Sequence, residues 1–369
     1  MKLEVFSQEI VPVGSVDAFT ALRWTEKYDK CGSFELWCPA TPENAEMLKE
    51  DNLLWTGSKS VGVIEIIQRN LTQQNAVEIN VRGRLIECYL GTRTVWDMYT
   101  ATNKSVSDIM REIVIINCIR PTNPDRIIPM LRINPNQKQY GSKISIQRTG
   151  SDVLSVQEEL SSSHGLGFSV DFSPREKSLE FSVLNGIDRT INQSIVTPVV
   201  FSSDTEDILS STYFHNKNNL KTLALVAGYG EGTARKKTVV GSGSGLRRKE
   251  LFVDARDLQE TDVNGFVIPE AEYIKMLVQR GSEYLSERKD IENFDAVIKS
   301  FGEQQYVYGV DYNKGDLVTV QDKILGITVN ARITEVERVY DQNGYSLNLV
   351  FGYSQPTLNN KLKFLGMEV

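Results

Sequence analysis

The residue types that could support nucleophilic catalysis come together at one place in the sequence. Ser161, Ser162 and Ser163 directly precede His164, so three hydroxyls stand beside an imidazole. A serine nucleophile needs a base within hydrogen-bonding distance and a third group that orients the base, and adjacency in sequence provides neither. The stretch is typical of the polar end of a helix. Gly-x-Ser-x-Gly, His-Glu-x-x-His and Walker patterns do not occur, so we predict no enzymatic activity and no catalytic residues.

Potential metal ligands are few and poorly spaced. The four cysteines show no Cys-x-x-Cys spacing, and only His164 and His215 could join them in a zinc site. A group of acidic residues could in principle bind calcium, but it lacks the spacing of an EF-hand loop. We therefore expect no metal and no other cofactor, but buried free thiols and a solvated acidic loop. The residues concerned are Cys31, Cys38, Cys88, Cys118, Asp254, Asp257, Glu260 and Asp262.

A glycine-rich, basic stretch follows the predicted strand at 220–226. Its first glycines, Gly228, Gly230 and Gly232, suggest dinucleotide binding, because such glycines let the backbone approach a pyrophosphate at a helix N-terminus. No helical pattern follows, so we predict a long mobile hairpin or loop, either a solvated loop tip or a candidate contact loop that orders against a partner protein. Binding of phosphate or DNA by charge is a less favoured alternative. The basic residues of this candidate contact loop are Arg235, Lys236, Lys237, Arg247 and Arg248.

The clearest structural element is a strand pair near the end of the sequence. Apolar residues alternate with polar ones in two runs, which is the period of half-buried strands. The pair Asn343-Gly344 between the runs tolerates the positive φ values of a type I′ hairpin turn. Between Ile333 and Val336 the apolar phase slips by one residue, which predicts a β-bulge and a bent strand of the kind found at barrel corners. The alternating residues are Ile327, Val329, Ala331, Ile333, Tyr345, Leu347, Leu349 and Phe351.

A weak internal repeat relates the two ends of the chain. The run Leu53-Leu54 precedes Lys59 and Gly62-Val63, and Leu317-Val318 precedes Lys323 and Gly326-Ile327 at the same spacing. Each copy contains a strand, a polar turn with a lysine, a glycine and a long alternating strand. We interpret this as two related β units. The alternative is that two unrelated β-meanders align equally well.

Length and pattern divide the chain into several domains. With 369 residues, two to three domains are expected, each large enough to have its own core. The patterns predict a β-dominated α+β protein. We assign residues 1–95 to a first β-barrel, 96–190 to an inserted α/β domain, 191–249 and 305–355 to a second β-barrel, 250–304 to a helix-containing insertion, and 356–369 to a C-terminal tail.

Charge and the N-terminal residues narrow the class of protein. The formal net charge is −7, which argues against stable nucleic-acid binding, since proteins of that class are usually basic. It does not exclude passive contact with DNA. The first residues lack an apolar run long enough for a signal peptide, and the other apolar runs are too short to span a bilayer. We therefore expect synthesis and folding in a reducing cytoplasm.

Six motifs, taken in order, resemble a known family. The chain resembles the siphophage tail-hub proteins, which correspond to the N-terminal hub part of tail-associated lysins and are similar in architecture to the baseplate hub of contractile-tailed phages. No single motif is decisive, but their order and spacing over nearly the whole chain are specific. The motifs are Trp24 with 32–36 (GSFEL), 226–232 (VAGYGEG), 247–257 (RRKELFVDARD), 308–311 (YGVD), 315–322 (GDLVTVQD) and 332–336 (RITEV).

The resemblance implies a structural protein of the virion. It implies a homotrimer at the phage tail tip, in which each chain supplies two similar tube-type β-barrels, each accompanied by a small α/β domain, and three chains form a ring of six. The implied partners are the distal tail protein, the tape-measure protein and a downstream receptor-binding or fibre protein, with DNA only in transit. Many relatives carry a C-terminal hydrolase or receptor-binding extension, and because this chain stops soon after its last strand we do not expect that activity. The alternatives are a tail-associated cell-wall hydrolase, and the hub of a contractile tail or phage-derived particle.

A channel for DNA places a constraint on charge. Each neutralised phosphate adds affinity through counterion release, so a wall that must release DNA should be neutral to acidic. Candidate channel-lining residues are Glu65 on the first long strand and Glu335 and Glu337 on the second. The basic residues between Arg235 and Arg248 are then expected to lie away from the lumen and to face a protein neighbour.

Overall fold

A computed structural model describes residues 1–71, 77–202, 208–289, 291–298, 305–322 and 327–352. Strand is the dominant secondary structure, as predicted. The strands are β1 Leu3–Phe6, β2 Pro12–Val16, β3 Ala21–Lys27, β4 Ser33–Pro39, β5 Leu53–Trp55, β6 Val61–Val63, β7 Ile66–Leu71, β8 Val77–Arg84, β9 Tyr99–Ser105, β10 Leu131–Ile133, β11 Lys143–Arg148, β12 Gly167–Ser173, β13 Ser178–Leu184, β14 Val200–Ser202, β15 Ile208–Asn216, β16 Leu223–Ala227, β17 Lys237–Gly241, β18 Glu250–Asp254, β19 Ile291–Ile298, β20 Leu317–Asp322, β21 Ile327–Asp341 and β22 Gly344–Gly352. The α-helices are α1 Pro42–Met47, α2 Val106–Val114, α3 Val153–His164 and α4 Glu270–Ser286.

The chain forms two compact units. The first contains Met1–Asn185, Leu220–Lys289 and Tyr340–Gly344. The second contains the described residues within Gly186–Asn219, Asp290–Val339 and Tyr345–Val369. The predicted C-terminal tail, 356–369, lies outside the described residues.

The N-terminal part of the first unit consists of two β layers around one core. The order β2-β1-β5-β6 gives one layer, and β3, β4, β8 and β7 pair antiparallel in that order in the other. Alternation places Phe34, Leu36 and Cys38 of β4 inward, where Phe34 stacks on the buried ring of Trp24 at 5.5 Å. Among residues 1–71 and 77–95 no strand pairing closes these layers into a barrel.

The chain bends between β6 and β7 and joins the two layers. β6 pairs with β5 and the following β7 pairs with β8, so the chain passes from one layer to the other between them. At the bend Ile64 is buried in the core, and the amide of Glu65 donates to the carbonyl of Arg82 at 3.0 Å. The connection between β6 and β7 therefore lies in the core that the two layers share.

The α/β part of the first unit follows the predicted pattern closely. Ser105 caps α2, as predicted, with its hydroxyl accepting from the amide of Asp108 at 3.2 Å. The apolar face of α2 packs with α3 over the sheet of β10, β13 and β12, and β9 pairs with β11. The helix predicted from Val153 and the strand predicted from Lys143 are confirmed as α3 and β11.

Strand pairings cross the predicted domain boundaries between residues 220 and 304. β16 pairs antiparallel with β17 and parallel with β18, and α4 packs on this three-stranded sheet. A boundary between 249 and 250 would separate β18 from β16. The strand β19, assigned to the helical insertion, instead pairs with β15 and β22 in the second unit. These pairings join residues far apart in sequence, and local periodicity does not reveal them.

The second unit is a β structure built on the predicted strand pair. β15, β19, β22 and β21 follow one another in hydrogen-bonded order, and β20 pairs with both β21 and β14. Ile333 and Val336 are both fully buried, which confirms the predicted change of phase along β21. The turn before β22 differs from type I′, because Gly344 has φ +109° whereas Asn343 does not have a positive φ.

The two halves of the proposed repeat both contain antiparallel hairpins. Leu53 pairs with Val63 in the first, and Leu317 pairs with Arg332 in the second. Lys323 and Gly326 lie outside the described residues. The described hairpins agree with related β units, and the similarity of the two complete domains stays a prediction.

Candidate interaction surface

The serines beside His164 are not aimed at its ring. At the C-terminal end of α3 the hydroxyl of Ser162 donates to Asp29 at 2.8 Å, and that of Ser163 donates to the carbonyl of Glu159 at 2.6 Å. The ring Nε2 of His164 lies 2.9 Å from Nε2 of Gln279, and burial lowers the pKa of this histidine. The arrangement is that of a packed helix end, as the sequence predicted.

The four acidic residues from Asp254 to Asp262 each bind a different partner and do not converge on one point. Asp254 accepts from Arg235 at 2.6 Å, and Asp257 forms a two-pronged pair with Arg280 at 3.0 and 2.8 Å. The Lys236 ammonium lies 3.2 Å from Glu260, and Asp262 accepts two backbone amides of its own turn. In the described parts of the chain, no group of His, Cys, Asp and Glu side chains could hold a metal ion.

Three of the four cysteines are buried thiols. Cys38, Cys88 and Cys118 are buried and Cys31 is half-buried, and all four are free. Burial raises the pKa of Cys38 to about 11 and those of Cys88 and Cys118 to about 12. Since the thiolate is the reactive form, these three cysteines serve as packing residues.

The glycine-rich stretch begins a hairpin. Gly228–Lys236 connects β16 to β17, and it contains only the single 3₁₀ turn Gly232–Ala234 where a dinucleotide site would need a helix. Gly228 packs against the Tyr273 ring so closely that a Cβ atom would collide with the phenol oxygen. That hydroxyl accepts from the amide of Tyr229 at 2.9 Å and donates to the carbonyl of Leu258 at 2.8 Å. Gly228 therefore serves this packing contact.

The predicted basic contact residues separate into two sets. Arg235 is half-buried and donates to the carbonyls of Gly228 and Ala227 at 2.7 and 2.5 Å, as well as to Asp254. Lys236 is paired with Glu260 and lies 5.6 Å from the centre of the Tyr273 ring. These two cations hold the hairpin together. Lys237, Arg247 and Arg248 are exposed, with Arg248 next to Glu250, and can contact a partner.

Sequence reasoning missed an apolar row on the same sheet. Val239 and Phe252 lie on either side of Leu225 in register, so the three side chains share the face opposite α4. Val239 is 55% exposed, Phe252 is 57% exposed and Leu225 is 36% exposed. Leu225 lies in a wholly apolar strand, so sequence pattern alone does not separate its exposed face from its buried one.

The candidate channel-lining glutamates have different surroundings. Glu65 is exposed and forms a two-pronged pair with Arg84, with the Nη2–Oε1 distance at 2.6 Å. Glu337 accepts from the amide of Asn348 at 2.7 Å, and Glu335 is half-buried. Glu65 belongs to the first unit and the other two to the second. Arg84 therefore balances the charge of Glu65, and a channel-lining role for all three glutamates stays a prediction.

The first unit also contains a buried ionic network that sequence reasoning missed. Arg148 of β11 pairs with Glu283 of α4, and Gln279 donates to the same carboxylate at 3.0 Å. Glu159 of α3 lies 4.0 Å from Arg148, and burial raises its pKa to about 7. Arg148 and Glu283 are 135 residues apart in sequence, so no spacing rule could have paired them.

A family model matches almost the whole chain. The model describes the Siphovirus ReqiPepy6 Gp37-like proteins, and it covers residues 2–353. The chain belongs to this family. No curated protein sequence matches this chain. The resemblance to siphophage proteins is thereby confirmed.

Solved structures show that the family member has the fold of phage tail proteins. The 43 kDa tail protein of prophage MuSo2 from Shewanella oneidensis has a TM-score of 0.58 at 12% identity, covering 95% of this chain and 98% of that one. The tail protein from Neisseria meningitidis MC58 has 0.58 at 13%, covering 95% and 96%. The prophage tail protein gp18 from Listeria monocytogenes EGD-e has 0.55 at 12%, covering 99% and 98%.

No helix within the described ranges has both the length and the apolar character needed to cross a membrane.

Proposed function

We propose that the chain is a structural hub of a phage tail tip. The observation that carries the proposal is the agreement of fold with phage tail proteins over at least 95% of this chain, in a member of a siphovirus family. The layered β structure of each unit supports a role for two barrel-like tube domains per chain. Three chains would then supply six such domains, which suits a sixfold tail tube.

In this proposal the ring closes the distal end of the tube and opens to release DNA. Its neighbours in the virion are the distal tail protein, the tape-measure protein and a receptor-binding or fibre protein. The chain is made in the bacterial cytoplasm and acts without chemistry. The separate pairing of the candidate catalytic and acidic residues supports a structural role, because their hydrogen bonds hold local turns and helix ends.

The oligomeric state and shape of the purified protein test the proposal. Light scattering combined with size exclusion should give about three times the 41.6 kDa chain mass, and electron microscopy should show a threefold ring with a central channel. Labelling of intact virions with antibody should place the protein at the distal end of the tail. A stable dimer, or labelling along the tube, would contradict the hub assignment.

Zymography against peptidoglycan separates the hub from a cell-wall hydrolase. We expect no clearing by the purified protein. A lytic band that persists in preparations free of host hydrolases would replace the structural role with an enzymatic one. A virion with a contractile sheath around the labelled tip would assign the protein to a contractile-tail hub instead.

A further inference from the structure

The face of the β17-β16-β18 sheet opposite α4 combines apolar and basic side chains. Its central row consists of Val239, Leu225 and Phe252, which are paired in register. The next row contains Lys237 and Asp254 on either side of Ala227. The other face of the sheet is covered, since Val226 and Val253 are buried against α4. The sheet thus has one face packed in the core and one exposed apolar row.

Basic groups lie on both sides of this row along the strand direction. On one side the Arg235 guanidinium lies 6.0 Å from the centre of the Phe252 ring, and Lys237 of β17 is exposed. On the other side, beyond the end of β17 at Gly241, the connection to β18 contains Arg247 and Arg248, together with a fully exposed Leu246. Aromatic and arginine side chains around an apolar centre are the composition that protein interfaces favour.

The charge of this segment is opposite to that of the rest of the chain. The stretch from Arg235 to Lys249 contains six basic residues and no acidic one, and so carries a formal charge of +6. Since the whole chain has a net charge of −7, the remaining residues carry −13. Surfaces of opposite charge attract each other and select their relative orientation. A second copy of the same chain therefore offers a complementary partner, provided that a different, acidic surface of that copy meets this face.

We propose that the exposed face of the β17-β16-β18 sheet is a head-to-tail contact between neighbouring copies of this chain, covered by an acidic and apolar surface of the next copy. Two of these faces meeting each other would gather the exposed Lys237, Arg247 and Arg248 of both copies in one contact, which like-charge repulsion disfavours. A contact between unlike surfaces generates a ring when its rotation closes. The inference rests on the proposed trimeric hub and assigns one of its interfaces to a named surface.

Two sets of variants separate the apolar and the charged parts of the contact. Val239→Glu combined with Phe252→Ser replaces the two outer members of the apolar row, and Lys237→Glu, Arg247→Glu and Arg248→Glu reverse the exposed charge. The matched controls are Val310→Glu, a valine 73% exposed in the second unit, and the triple reversal of Lys143, Arg175 and Lys177, which are also exposed. Circular dichroism and thermal unfolding establish that each variant is folded.

Sedimentation across a concentration series measures the association of the full chain. We expect each face set to raise the trimer dissociation constant at least about tenfold, which is the effect of losing one interface hot spot, while the controls match wild type. Wild-type association should weaken with added salt, and the charge-reversal set should lose this salt dependence.

Each other outcome rejects the proposal in a distinguishable way. A wild-type trimer that both face sets leave intact overturns this interface and leaves the hub assignment standing. A wild type that stays monomeric at every concentration overturns both. Face variants that keep the trimer but lose a salt-sensitive mobility shift of duplex DNA assign the basic face to nucleic acid instead.

Discussion

Arg148 and Glu283 form an ion pair in which both side chains are almost completely buried, with 5% and 3% of their surface exposed. The pair joins β11 to α4, and so connects the α/β part of the first unit to the three-stranded sheet that presents the basic hairpin. A second buried cation, Arg280, reaches Asp257 from the same helix. The attachment of α4 thus depends on charges removed from water.

Removal of Arg148 from its pair with Glu283 should lower the stability of the protein. Arg148→Met leaves the buried Glu283 carboxylate with only the Arg280 guanidinium, at 4.0 Å, and we expect a loss of about 3 kcal/mol in the free energy of unfolding. The double variant Arg148→Met, Glu283→Leu should recover much of that loss, because no uncompensated charge remains. Urea unfolding measures both.

The control for this pair is Arg132→Met, which removes an exposed partner of Glu176 and Glu180. Its stability should stay close to wild type, since exposed ion pairs contribute little. Equal losses for Arg148→Met and Arg132→Met would contradict the role given to the buried pair.

Stability should depend on pH through Glu159. Burial raises the pKa of its carboxyl from 4.5 to about 7, so the folded chain binds more protons than the unfolded chain between these values. The contribution of this group is fully present below pH 4.5 and is lost as the pH rises through 7. Glu159→Gln should therefore flatten the decline of stability over this window, measured as urea midpoints. A parallel pH profile in variant and wild type would contradict the assignment.

Gly228 should not tolerate a methyl group. Gly228→Ala places a Cβ against the phenol oxygen of Tyr273, and we expect a loss of about 1–3 kcal/mol. Gly91→Ala is the matched control, because its Cβ would meet Leu154 at an ordinary 3.4 Å. In a Tyr273→Phe background the cost of Gly228→Ala should shrink, and thermal unfolding of the four proteins tests this coupling. If Gly228→Ala destabilises the Tyr273→Phe protein as much as it destabilises wild type, the phenol oxygen of Tyr273 is not the source of the clash.

Trypsin should distinguish the two sets of basic residues around the hairpin. Arg235 and Lys236 are held by Asp254 and Glu260, whereas Arg247 and Arg248 are exposed next to a 3₁₀ turn. We expect cleavage after Arg247 or Arg248 to precede cleavage after Arg235 or Lys236. Mass spectrometry of early fragments gives the order, and prior cleavage at Arg235 would show that its carboxylate pair does not hold the hairpin.

Local chemistry made much of this fold predictable. Ser105 with its apolar spacing gave α2, and the alternation along 327–351 gave β21 and β22. The change of phase between Ile333 and Val336 was also visible in the sequence and in the burial. Each of these signals lies within a few residues, where side-chain period and capping determine the backbone.

Contacts between distant residues were not predictable in the same way. The parallel pairing of β16 with β18 moved the predicted boundary, because it depends on a partner beyond the glycine-rich connection. The candidate contact loop was predicted from composition alone. Composition could not show that Arg235 and Lys236 fold back onto carbonyls and carboxylates while Lys237 stays exposed.

The hydroxyl of Tyr273 bonds to Tyr229 in the hairpin and to Leu258 after β18, and the ring belongs to α4. One oxygen atom thus links three segments that are separate in sequence. The same helix is tied through Glu283 to Arg148 of β11. Two side-chain contacts therefore connect the exposed basic hairpin, by way of α4, to the buried strand β11.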